Sequence, residues 1–365
     1  MTKICHISTA HPTFDGRIFH KECVSLSKAG FDVSLVITHD KNEVVDGVNI
    51  IALPQSVGRF RRMILKPWIA LIKALKTKSE IFHFHDPELM FIGVILRVLG
   101  KKVIFDSHEN VSSQIETKEW LGNKTVRLIV KNVYSVFEKF NILFYNKVIS
   151  VTPEIVSFLA PKKGVLIRNY PKVSLTGSES RVESGENKTL TFVYAGGLSR
   201  IRGIKEICQA IGEIKEVKLI LLGVWESEEY KDECLKDLKN VEFLGAKPIR
   251  EVYPIIRNSD VGFVNFYHEK NHLNCLPTKS FEYMTCGLPM IISDIPYWSE
   301  RYAEFSIFVE PTNIESIKKA ILWMIDNKDE RIEMGLAGQK AVKELYSWES
   351  ESLTLIKMYN ELVKK

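Results

Sequence analysis

NCLPTKSFEYMTCGLPMIISD, residues 274–294, is the stretch on which the reading of this chain turns. Pro277 suits the position just before a helix or in its first turn, where a missing N–H costs nothing, and Gly287 can supply the left-handed residue that ends one. The spacing predicts a loop, a short helix starting near Thr278, a break at Cys286-Gly287 and a buried strand over 289–292. The start of a helix presents unpaired backbone N–H groups and the positive end of its dipole, which together suit a phosphate. Glu282 falls one turn further along, placed to accept hydrogen bonds from paired hydroxyls such as those of a ribose. The chemistry is that of holding a nucleotide. The plainer reading is an ordinary strand–loop–helix of an α/β domain.

Outward from this stretch the chain alternates short β-branched runs with helical patterns, the signature of parallel sheets covered on both faces. Strands are expected at 4–8, 33–37, 48–52, 81–83, 102–105, 147–150 and 165–168. Residues 174–188 (SLTGSESRVESGENK) carry no core pattern and read as a linker. A second series follows, with strands at 190–195, 218–222, 241–244, 262–265 and 289–293. The expected organisation is a domain over 1–173, the linker, a second domain over 189–345, and a helix over 346–365 that returns to the first. Such two-lobed α/β proteins bind ligands in loops at the carboxyl ends of their strands, here across a central cleft.

The 365 residues are 45% hydrophobic and 26% charged, the balance of a soluble globular protein. No run of about 18 apolar residues offers a membrane span. The start, MTKICHISTA, has no signal-peptide layout. Six cysteines at 5, 23, 208, 234, 275 and 286 form no CxxC pair, so neither a zinc site nor a disulfide framework is expected, and a reducing cytoplasm is. The net charge of +5 is uneven: residues 1–170 hold 24 Lys and Arg against 15 Asp and Glu, and the remainder 26 against 30. Arg59, Arg61, Arg62 and Lys66 interleave with Phe60, Met63, Ile64, Leu65 and Trp68, and residues 124–147 repeat the mixture. These basic amphipathic stretches fit the surface of an anionic membrane, with helices packed on a sheet as the plainer alternative. No nucleic-acid motif is evident.

Three loops of the first half hold reactive side chains. Asp15-Gly16 reads as a turn and N-cap, with Arg17 opening the next helix. There is no GxGxxG, which counts against a dinucleotide oxidoreductase. His83, His85, Asp86 and Glu88 bring imidazoles and carboxylates together, but Asp86-Pro87 is a good helix start and no metal is expected there. The third loop follows Phe105-Asp106-Ser107 and carries His108-Glu109.

The 274–294 stretch resembles the donor-binding motif of the retaining glycosyltransferases of family 4. Glu282 matches the second glutamate of that motif, Met284, Gly287 and Pro289 match its tail, and Asn274 stands where the first glutamate is usual. The wording Pro277-x-Lys279-x-x-Glu282-Tyr283-Met284 is similar to a branch found among cell-surface polysaccharide transferases, such as those of bacterial lipopolysaccharide and capsule. The resemblance implies a GT-B fold of two Rossmann-like domains. It also implies metal-independent transfer of a sugar from a nucleotide-sugar, expected to be UDP-linked, to a glycan or polyprenyl-linked acceptor.

Carried over residue by residue, the resemblance puts Gly16 and Arg17 at the donor diphosphate, His108 beside the donor sugar, and His11 and Asp86 on the acceptor side. In YAGGLSRIRG, residues 194–203, Gly197 takes the place of the usual arginine clamp and Arg202 that of the lysine. Lys279 is the candidate to make up the missing charge, with Pro277 and Thr278 at the helix start and Asn274 reaching the donor sugar. Gly223, Ala246 and Lys247 are implied at the base. Two alternatives remain open: a GT-B sugar-nucleotide 2-epimerase, and a non-catalytic homologue that binds nucleotide or glycan within a complex.

Overall fold

A computed structural model describes the chain apart from residues 56–57, 59–60, 108–110, 118–120, 174–188, 270–271, 274 and 365. The described residues form two units, Met1–Asn169 with Trp348–Lys365, and Tyr170–Ser347. The expected linker and the expected site residues His108 and Asn274 lie outside the described residues.

The first unit holds β1 (Lys3–Ile7), β2 (Asp32–Thr38), β3 (Glu43–Val45), β4 (Val48–Leu53), β5 (Ile81–Phe84), β6 (Lys102–Ser107), β7 (Lys147–Ser150) and β8 (Gly164–Leu166). They lie in the order β3-β4-β2-β1-β5-β6-β7-β8. All pairings are parallel except that of β3 with β4. That hairpin turns through Asp46 and Gly47, both at positive φ (50° and 76°), the conformation that a two-residue Asp-Gly turn favours.

Helices cover both faces. Ile4, Leu35, Ile81 and Ile104 pack on one side with Trp348, Leu355 and Tyr359 of the helix Trp348–Lys364. Cys5, Ile7, Phe82 and Phe84 pack on the other. Alternate strand residues point to opposite faces, so the near-continuous apolar runs that announced these strands are what a sheet covered twice requires. The C-terminal helix is tied down by polar bonds as well: Trp348 Nε1 donates to Ser25 Oγ at 2.9 Å.

In the second unit β9 (Leu190–Ala195), β10 (Val217–Leu222), β11 (Val241–Phe243), β12 (Val261–Val264), β13 (Met290–Ser293) and β14 (Ser306–Val309) lie in the order β11-β10-β9-β12-β13-β14. All are parallel. In each unit the winding reverses beside the first strand, between β1 and β5 and between β9 and β12. Open α/β sheets bind their ligands outside the carboxyl ends of the strands at such a reversal.

Candidate functional site

The helix Thr278–Thr285 begins and ends where its sequence says it should. Pro277 precedes it with φ −65° and ψ 128°, and Gly287 follows it at φ 73°. Two hydroxyls position it. Ser280 Oγ donates to the Pro277 carbonyl (2.6 Å) and lies in hydrogen-bond contact with Tyr302 Oη (2.8 Å), closing the first turn. Tyr283 Oη accepts the backbone N–H of Ala195 at 2.9 Å, fastening the helix to the end of β9. The Tyr283 ring lies over Gly262 in β12, where any added Cβ would come within 2.4 Å of it. The helix is therefore held at the reversal of the second sheet.

Beside it the loops after β9, β10 and β11 stack on one another through backbone. Gly196 donates to Leu222, Leu198 to Val224 and Gly223 to Gly245, at 2.9 to 3.0 Å. Gly196 and Gly223 have φ of 139° and 141°, which side-chain-bearing residues rarely adopt. A Cβ on Gly223 would sit 1.8 Å from the Gly196 carbonyl oxygen. Ala246 and Lys247 follow Gly245 and are exposed.

Two cations converge on Gly196-Gly197. Lys279 is buried, with Nζ 3.5 Å from the centre of the Tyr194 ring and 5.3 Å from that of Phe266. Arg202 Nη1 donates to the Gly197 carbonyl at 3.2 Å, and its Cζ lies 5.4 Å from the Phe266 ring centre. A Cβ built on Gly196 would meet Lys279 Nζ at 3.0 Å and Arg202 Nη1 at 3.5 Å. Neither Lys279 Nζ nor Arg202 Nε has a hydrogen-bond partner among the described residues.

Burial pushes the Lys279 ammonium well below the usual lysine range, the Arg202 charge adds to that, and Glu282 opposes it. A buried ammonium held by ring faces alone is expensive, and an anion would relieve it. Gly197, where the resemblance places an arginine, has the Arg202 guanidinium 2.9 Å from its would-be Cβ, so the neighbouring charge already fills that space. Glu282 is half-buried and Thr278 exposed at the helix start. Tyr194 and Phe266, the aromatic seat of the two cations, are site residues that sequence reasoning missed. The signal for Tyr194 was an aromatic near the end of a strand, one residue removed from a glycine pair.

In the first unit the expected site residues divide into exposed and buried ones. Asp15 Oδ1 accepts the N–H groups of Arg17 and Ile18 at 2.8 Å, the expected N-cap, and Gly16 is exposed with open space where a Cβ would be. Arg17 is buried. Its Nε and Nη2 donate to Asp106 at 3.0 and 3.2 Å, and Nη1 to the Ile167 carbonyl at 3.1 Å.

Asp86 Oδ2 accepts the Ser8 hydroxyl (2.9 Å) and the Thr9 N–H (2.5 Å), and Oδ1 lies 3.0 Å from His11 Nδ1. These partners overcome burial and hold the Asp86 carboxyl down at about 2, while Asp86 raises the His11 imidazole above its ordinary value. Asp86 does precede the helical turn Pro87–Leu89, but its carboxylate caps the end of β1 instead.

Two parallel-sheet units with this winding constitute the GT-B fold of glycosyltransferases, and the comparisons agree. Sucrose-phosphate synthase from Thermosynechococcus elongatus superposes with a TM-score of 0.75 over 100% of both chains at 17% identity. HepE of Anabaena in complex with UDP-glucose gives 0.73 over 99% of this chain and 100% of its own, at 11% identity. By sequence, residues 178–341 match the family model of the glycosyl transferases group 1. An uncharacterized glycosyltransferase of Methanocaldococcus jannaschii is 21% identical over 324 residues, 84% of this chain and 79% of that one. The superpositions show the fold, and the two sequence matches support a glycosyl transferase.

Proposed function

We propose that the protein is a retaining glycosyltransferase of the family 4 type, taking a UDP-linked sugar to a glycan or lipid-linked glycan of the cell surface. The observation that carries the donor half of this reading is the pair of cations, Lys279 and Arg202, aimed at a glycine turn beside a helix N-terminus. A diphosphate there meets two protein charges and free backbone N–H groups, so its charge is matched without a metal. In the transfer these groups stabilise the departing phosphate oxygen as charge develops on it, while binding holds the sugar in place for attack. Glu282 takes the ribose hydroxyls, and the exposed turn at Ala246-Lys247 the base. HepE, whose structure was solved with UDP-glucose, is the reason to prefer uridine. His108 and Asn274 are proposed at the donor sugar on the resemblance alone.

Glu282→Gln should weaken UDP binding, because a hydrogen bond from a hydroxyl to a carboxylate contributes about 1.5–3 kcal/mol. Calorimetry showing unchanged affinity for UDP would remove Glu282 from the site. Turnover of UDP-sugar without any acceptor, giving a 2-epimer, would instead favour the epimerase reading.

The acceptor half rests on a different surface. In the helix Lys124–Ile142, Val126, Ile129, Val133, Val136 and Phe140 are all exposed at spacings of three and four residues, and Phe137 is exposed beside them. Met63, Ile64, Leu65, Trp68, Ile69 and Ile72 are exposed around the helix Lys66–Lys76. An apolar stripe turned outward beside Lys124 and Lys139 is what an interfacial helix presents to anionic lipid. Lys66 is not part of that surface: it is buried, and its Nζ donates to the Thr9 carbonyl (2.9 Å) and Thr38 Oγ1 (2.5 Å).

Replacing Val133, Phe137 and Phe140 with serine, or neutralising Arg59, Arg61 and Arg62, should cut co-sedimentation with phosphatidylglycerol vesicles and leave UDP binding intact. Each basic residue near such a surface contributes about 1 kcal/mol. Sedimentation unaffected by either change and by salt would end the membrane reading.

A further inference from the structure

Beneath the reversal of the first sheet is a cluster that the donor site does not use. β1 and β5 pair in a register that sets His6 opposite His83, and His85 follows the end of β5. Their rings lie 4.5 Å (His6 to His83), 4.5 Å (His83 to His85) and 5.2 Å (His6 to His85) apart, centre to centre. Glu22, from the π-helical turn Ile18–Cys23, reaches down on them. Its Oε2 is 4.0 Å from His6 Nδ1 and 3.8 Å from His83 Nδ1. All four side chains are buried. One ligand atom from each fits in a group whose members all lie within 4.8 Å of one another.

We propose that His6, Glu22, His83 and His85 together hold one divalent transition-metal ion, zinc by the chemistry of the set, as a structural centre of the first unit. Three imidazoles and a carboxylate suit zinc and its neighbours rather than magnesium or calcium. Four protein ligands close a tetrahedral site, the structural kind.

His6 and His83 each place one nitrogen in a hydrogen bond to an oxygen outside the group, and His85 lies beside a carboxylate, the kind of support ligating histidines have. Tyr359 Oη lies 3.1 Å from His6 Nε2 and 2.8 Å from His83 Nδ1. Asp106 Oδ2 lies 3.5 Å from His85 Nδ1. On the side of the group lie His6 Nδ1 and His85 Nε2, 3.0 Å apart, and His83 Nδ1, which faces Glu22 as well as Tyr359; His83 Nε2 has no hydrogen-bond partner among the described residues.

Without an ion, a hydrogen bond between His6 and His85 would satisfy those two rings. It would leave His83 Nε2 and both Glu22 oxygens with no aligned hydrogen bond among the described residues. Arg17 Nε is 3.1 Å from Glu22 Oε1, but the same guanidinium serves Asp106. Two buried carboxylates share that guanidinium, and burial with the Asp106 charge pushes the Glu22 carboxyl well above its usual range, so without an ion a proton balances the charge, and a bound cation would displace it. The sequence grouped His83 and His85 with Asp86 and Glu88. The fold instead turns the two histidines inward to His6 and Glu22, 77 and 61 positions from His83, which no spacing rule could pair.

The test is metal analysis of the untagged full-length protein purified without chelators. About one zinc or similar ion per chain is expected, with Co²⁺ replacement giving the visible absorption of a tetrahedral site. Stripping the ion should lower Tm by about 5 °C or more, and Zn²⁺ should restore it. Glu22→Gln and His83→Gln should abolish the cobalt band. A stripped protein whose Tm ignores added Zn²⁺ and which gives no cobalt band would overturn the proposal. So would a band of full strength in folded Glu22→Gln or His83→Gln, which would place the ion elsewhere. If both variants fail to fold, the cobalt and zinc titrations of the unaltered protein decide.

Discussion

Lys279→Ala is expected to cost about 100-fold in affinity for UDP and almost nothing for uridine, since a charge-assisted contact contributes about 1.5–3 kcal/mol and only the phosphates lose one. The argument rests on the buried Nζ over Tyr194, 3.0 Å from where a Gly196 Cβ would stand, with no hydrogen bond among the described residues. Arg202→Ala should behave alike, and the double variant should lose less than the sum, because both charges act on one group.

A pH dependence follows with a definite sign. Burial and Arg202 hold the Lys279 proton weakly, and a diphosphate prefers the ammonium. Binding should therefore take up protons, and UDP affinity should fall as pH rises. Calorimetry in buffers of different ionisation enthalpy measures the uptake, and its absence in Lys279→Ala assigns it. Equal losses for UDP and uridine would remove Lys279 from the diphosphate.

The second large effect is structural. Gly223→Ala forces a Cβ to within 1.8 Å of a backbone carbonyl, at a φ of 141° that alanine tolerates poorly. Neither the Gly196 turn nor the Gly245 turn can yield without breaking the bonds that stack the three loops. The expected cost is about 3 kcal/mol or more, a fall in Tm of roughly 6–12 °C, with loss of UDP binding. A variant with unchanged Tm and affinity would show that the stacked loops do not shape the site.

Most of the architecture was legible because its signals are local. Pro277 and Gly287 mark a helix start and stop ten positions apart, and the structure has the helix over Thr278–Thr285. β14, directly behind Ala303–Phe305, and β3, directly before the Asp46-Gly47 turn, are short edge strands that the sequence reading did not expect, although β8 and β11, just as short, were expected. Side-chain destinations were the hidden part. The sequence put Arg17 at a ligand and Lys66 on the surface, and both are basic residues that read as exposed. Their partners Asp106 and Thr38 lie 89 and 28 positions away. The Lys279 seat lay between, since its lysine was visible but Tyr194 and Phe266, which place it, come from β9 and from the loop after β12.

The C-terminal helix has a consequence for how the chain comes to be folded. Tyr359 Oη bonds His6 across 353 positions, and Trp348 bonds Ser25 across 323. During synthesis the first unit therefore waits, its β1–β2 face only partly covered, until residues 348–364 have left the ribosome, by which time every strand and helix of Tyr170–Ser347 has already emerged. The part of the chain made first finishes last, and for that interval it is the part a chaperone would hold.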